Sequence, residues 1–76
     1  MTQPTYTELY DSMVTDPANE ISQMLEFGAA ARAMIHARGI DPDRLLESMR
    51  DNAYEDAKDA LRPLFYARCN ELGIKP

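Results

Sequence analysis

The chain has no tryptophan, one cysteine, one histidine and only three glycines among its 76 residues. Each scarcity removes a class of function. A lone Cys69 supports neither an intramolecular disulfide framework nor a cysteine metal cluster. Glycines at 28, 39 and 73 are too far apart to build a loop that cradles phosphate. His36 would need a nucleophile or an orienting acid to act as a general base. As a metal ligand it would want carboxylates three or four residues away, where the chain has Arg32, Ala33, Gly39 and Ile40. No run approaches the roughly 18 apolar residues of a membrane span. The opening MTQPTYTEL also lacks the basic and then apolar pattern of a secretory signal. These features lead us to expect a cytoplasmic, non-enzymatic protein with no cofactor and no metal.

Positive charge is scarce in a particular place. Residues 1–31 contain no lysine or arginine but carry Glu8, Asp11, Asp16, Glu20 and Glu26. From Asp41 to Asp59 seven acids stand against Arg44, Arg50 and Lys58, and the chain as a whole has a formal charge of −5. A surface of this sign repels phosphate backbones and anionic membranes, which disfavours direct binding to either.

What is present is the composition of a helical protein: alanine, leucine, methionine and glutamate in quantity, with few β-branched residues. No alternating strand pattern occurs. Thr5-Tyr6-Thr7-Glu8 has the spacing of a capping box, predicting a first helix over about 6–14. Asp16-Pro17 reads as a helix start, and Gly39 as a stop, giving a long second helix over about 17–38. On that helix Ile21, Met24, Leu25, Phe27, Gly28, Ala31, Met34 and Ile35 cover about half the circumference. Asp41-Pro42 repeats the start signal and opens a helical C-terminal half over about 42–72, ending before Gly73. The shared pattern of DPANEISQM and DPDRLLESM is explained by this common helix-start grammar. Pro63 lies inside the last segment, where it costs a hydrogen bond, so a kink or split is expected near it. The expectation is an all-α, single-domain bundle of three to four helices. At this length the core is marginal, and self-association or a partner would stabilise it.

Two features bear on function. Asp43, Glu47, Asp51, Glu55 and Asp59 recur every four residues, with Asp56 beside them. Like charges at this spacing oppose helix formation, relieved in part by Glu47–Arg50, Glu55–Lys58 and Asp59–Arg62. On one continuous helix they form a winding acidic ridge, suited to docking on a basic surface of another protein or to mimicking a nucleic-acid backbone. The second feature is the stretch GAAARAMIHARG. There Gly28, Ala31, Arg32 and Ile35 offer a low-relief seam for another helix, either of this chain or of a second copy in a homodimer. Arg32 falls inside the apolar arc and asks for a carboxylate or carbonyl partner. Cys69, among Phe65, Tyr66 and Leu72, reads as a small buried hydrophobe.

Ala29, Ala30 and Ala31, then Arg38, then Pro42 stand at spacings that resemble the theta subunit of bacterial DNA polymerase III. That resemblance implies a small three-helix accessory protein bound to a proofreading exonuclease. The chain departs from the family where Arg32 replaces a glycine and where Gly39 ends the helix before Asp41-Pro42. In style, a short acidic helical chain without catalytic motifs is similar to phage-encoded inhibitors, anti-CRISPR proteins among them. The reading that combines these features is a protein-binding module, either a small inhibitor or an accessory subunit.

Overall fold

The computed structural model describes residues 3–75, and every regular element among them is helical. Helix α1 (Tyr6–Tyr10) passes through a π-helical turn (Asp11–Thr15) directly into α2 (Asp16–Gln23), making one N-terminal rod. A link over 24–28 leads to the short α3 (Ala29–Ala37), and α4 (Pro42–Leu72) closes the fold. The Thr5 hydroxyl accepts from the Glu8 amide while the Glu8 carboxylate reaches back to Thr5, completing the predicted capping box. Asp41 caps α4 by accepting from the Asp43 amide at 3.0 Å, with Pro42 in the first turn.

Two expected boundaries differ. Asp16-Pro17 opens α2 but not as a separate capped helix: Asp16 already has helical dihedrals, φ −65° and ψ −47°, and continues the turn before it. An α-helical turn would drive the Pro17 ring against the Met13 carbonyl. The turn just before it widens instead, with the Asp16 amide bonded to the Asp11 carbonyl five residues back. The predicted helix over 17–38 is also broken, because residues 24–28 are not helical. Gly28, expected mid-helix, is the extended N-cap of α3. The broad apolar arc of that helix therefore does not form, and Met24 and Met34 stand 81% and 58% exposed.

By contrast, α4 runs unbroken for 31 residues through Pro63, so the expected split is absent. Pro63 is exposed, while Phe65 and Cys69 beyond it are buried; their packing offsets the proline's cost. Both Gly39 (φ 79°) and Gly73 (φ 71°) take the left-handed conformation that ends helices. At each the following residue donates five positions back, Ile40 to Ile35 at 3.2 Å and Ile74 to Cys69 at 2.9 Å.

The N-terminal rod lies antiparallel on α4. The Gln3 amide donates to the Leu72 carbonyl, Arg62 reaches the Tyr10 hydroxyl, and Arg50 reaches the Leu25 carbonyl. Leu9, Val14, Phe65 and Cys69 form the core, flanked by Tyr6, Tyr10, Met13, Leu61, Leu72 and Ile74. Phe65 meets the rings of Tyr6 and Tyr10 edge-on, both at 5.1 Å between centroids. Further along, buried Ala18 and Ser22 are small enough for close approach, and the Ser22 hydroxyl donates to the Asn19 carbonyl at 2.8 Å. The aromatic cluster of the core thus sits at the end of the hairpin where Gln3 meets Leu72, while Leu46 and Pro42 are buried towards the other end. At the other end α3 has no buried residue. The molecule measures 54 × 20 × 14 Å, with a radius of gyration of 17.2 Å. A compact chain of this length would give about 11 Å. The expected bundle is accordingly an elongated helical hairpin with a short third helix at its far end.

Candidate docking surface on the long helix

Because α4 is continuous, all five carboxylates of the series Asp43, Glu47, Asp51, Glu55 and Asp59 stand on one helix, and all are exposed. Each follows by one position a residue on or beside the packed side of α4 (Pro42, Leu46, Arg50, Tyr54 and Lys58), none of them exposed. One residue is a rotation of about 100° on an α-helix, so the acidic ridge flanks the hairpin seam along its length.

Three of the five acids are paired. Asp43 meets Arg32 of α3, Glu55 meets Lys58 at 3.3 Å, and Asp59 meets Arg62. Lys58 also lies 4.5 Å above the Tyr54 ring, which holds its ammonium between an aromatic face and a carboxylate. The expected Glu47–Arg50 pair does not form. Arg50 turns the other way and donates through Nε (3.1 Å) and Nη2 (2.8 Å) to the Leu25 carbonyl. It thereby satisfies a backbone group left open where α2 ends. Among the described residues Glu47 and Asp51 have no ion pair, and with Asp43, Leu46, Arg50 and Gln23 they line a shallow groove. The uncompensated part of the ridge is therefore its centre.

Arg32 pairs with Asp43, although the apolar arc that would have buried it does not form. Its hydrogen bond to Asp43, and then that group's charge, raise the guanidinium pKa above its usual value. The pair is exposed rather than buried and is the side-chain hydrogen bond that ties α3 to α4. Arg62 is raised chiefly by its hydrogen bond to the Tyr10 hydroxyl, with Asp59 adding to it.

No family model, no curated protein and no solved structure matches this chain. Its own geometry is what a functional reading can use.

The expected helix seam is not assembled within the chain. Gly28 caps α3, and a Cβ placed there would meet nothing within 4 Å. Ala31 is exposed, while Arg32 and Ile35 are half-buried on the side of α3 that faces Asp43. The alanine run that resembles the theta subunit opens this nine-residue helix rather than lying along a long one. His36 is exposed in the last turn of α3, on the rim of an open cleft shared with Arg32, Asp41 and Asp43. Cys69 is buried, with 2% of its surface exposed. Among the described residues no three histidine, cysteine or acidic side chains converge on a metal position, and no helix is long and apolar enough to cross a membrane.

The residues that sequence reasoning missed are on the outward side of α3, where Ala33 and Ala37 also line the cleft shared with Arg32 and His36. Ala30, Ala33, Met34 and Ala37 follow the i, i+3, i+4, i+7 pattern of a packing face, yet all four are exposed. That spacing is legible in AAARAMIHA. It was hidden by the assumption of one long helix, which placed the apolar arc on different residues.

Proposed function

We propose that the chain is a non-enzymatic protein-binding module that docks on a basic surface of another protein, as an inhibitor or accessory subunit. The observation that carries this reading is the exposed run from Asp43 to Asp59 on an unbroken helix, with Glu47 and Asp51 unpaired at its centre. A rigid helix presents these carboxylates at fixed intervals of about 6 Å along its axis, so a matching cationic groove would meet them without an ordering cost. Charge of one sign at such a surface governs encounter rate and partner choice more than affinity. Mimicry of a nucleic-acid backbone is a narrower form of the same reading. The partner's groove would then be one that otherwise binds phosphates.

The test uses the wild-type chain and the Glu47→Lys/Asp51→Lys variant as baits in parallel captures from the native host, followed by binding assays with the captured protein. The expected partner is basic, binds more weakly as salt rises, and loses roughly tenfold or more in affinity for the variant. Equal binding by the two baits overturns the reading. Displacement of the partner by duplex DNA separates mimicry from docking on an ordinary basic patch.

A further inference from the structure

The link over 24–28 interrupts a helix where the sequence gives little reason for a break. Met24, Leu25 and Glu26 are good helix formers, and only Gly28 opposes a helix there. Gly28 has φ −68°, already a helical value, and only its ψ of 166° is extended. Among the described residues the amides of Glu26, Phe27 and Gly28 donate to no backbone carbonyl. The break also leaves the pairing with α4 in step. From Gln3 to Leu25 the chain advances 22 residues while α4 recedes 22, from Leu72 to Arg50. From Leu25 to Arg32 it advances seven across the link, and α4 recedes seven, from Arg50 to Asp43. A helical link would therefore join α2 to α3 without sliding α3 along α4.

Arg50 is what holds the link open. In a continuous helix the Leu25 carbonyl accepts from the Ala29 amide, four residues on. Here that oxygen accepts instead from Nε and Nη2 of Arg50, at 3.1 Å and 2.8 Å, which occupies both of its lone pairs. The two arrangements exclude each other. We infer that residues 24–28 are a two-state switch, broken while Arg50 holds the Leu25 carbonyl and helical when Arg50 releases it. Little else opposes the change. No residue of α3 is buried, Met24 is 81% exposed, and a Cβ on Gly28 would meet nothing within 4 Å. The apolar contacts that change with the switch are those of Leu25 and Phe27, both half-buried. Closing the helix also alters the acidic ridge. The released guanidinium stands three residues from Glu47 on α4 and is free to make the pair that is absent from the broken form. The centre of the ridge then carries one unpaired carboxylate instead of two.

This inference does not rest on the docking role of the ridge, and its test involves no other protein. Backbone Cα chemical shifts of 24–28 and amide exchange at Phe27, Gly28 and Ala29 report the state of the link in the full chain. Arg50→Met keeps an unbranched stem but cannot donate. Its ratio of helical to broken link should rise by roughly tenfold or more, the worth of hydrogen bonds from a charged donor. Gly28→Ala leaves Arg50 in place and should raise the ratio roughly fourfold through helix propensity alone. Gly28→Pro suits the broken form, since φ there already has proline's value, so Arg50→Met/Gly28→Pro should show no helical gain. Wild-type shifts over 24–28 in Arg50→Met overturn the inference, and so does a link that becomes disordered rather than helical. A helical gain that survives the proline overturns it too, because the helix then forms elsewhere. Should Arg50→Met unfold the chain, Gly28→Ala decides, and unchanged shifts in that variant overturn the inference.

Discussion

Individual side chains settle the stability of the closed end. Phe65 is fully buried and touches Tyr6, Tyr10 and Tyr66, so its removal leaves a cavity that three rings cannot collapse to fill. Phe65→Ala should cost about 3–5 kcal/mol, measured by urea unfolding. That is a large part of the stability of any domain this small, and we expect the variant to be partly unfolded at 25 °C. Tyr6 offers a different handle. Burial, and then the neighbouring Tyr66, Cys69 and Tyr10, raise its phenol above the usual value of 10. The folded state thus holds that proton after the unfolded chain has lost it. The stabilisation is complete below pH 10 and falls as pH rises above it. Tyr6→Phe cannot ionise and should flatten this decline, as read from the thermal midpoint at a series of alkaline pH values. Cys69's burial was legible from its neighbours at helical spacing. Arg50's choice of the Leu25 carbonyl over Glu47 was not, because the carbonyl becomes available only where α2 stops.

At the scale of elements, the same dipeptide behaves in two ways. Asp41-Pro42 starts α4 because Gly39, left-handed just before it, has already ended α3. Asp16-Pro17 opens α2 with no break or side-chain cap before it, because Leu9, Val14 and Ala18 on either side of it are buried in one continuous rod. A widened turn accommodates the proline instead. Local grammar was sufficient in the first case and was overridden by packing in the second. Pro63 belongs with the second. It lies on the exposed side of α4, where its missing N–H and its ring oppose the helix. Pro63→Ala should therefore stabilise the chain, by about 1–3 kcal/mol, and raise its helical signal slightly. A loss of stability would show that the proline relieves some strain along α4.

The whole molecule is long because α4 runs 31 residues, about 46 Å, without a break. The pairing of the rod with α4 occupies the hairpin, but α3 adds length without adding buried residues. Small-angle scattering extrapolated to zero concentration should give a radius of gyration near 17.2 Å, whereas a compact bundle would fall near 11 Å. The display of the acidic ridge and the exposed face of α3 both go with this shape. An extended α4 displays every carboxylate at once, and an open far end leaves Met24 and Met34 in solvent.

The sequence by itself determined the helical class, the caps at Thr5, Asp41, Gly39 and Gly73, and the four-residue period of the acids. All of these depend on interactions within about one turn, which the order of residues specifies directly. Tertiary structure alone decided where the middle of the chain breaks, which prolines are absorbed, and which face of α3 points outward. The prolines are absorbed where Val14, Ala18, Phe65 and Cys69 are buried across the hairpin, while the link at 24–28 and α3 are held by Arg50 on the Leu25 carbonyl and by Arg32 on Asp43. Contacts between residues some fifty apart leave no mark in a local pattern, and they outweigh a proline or a glycine when the two conflict.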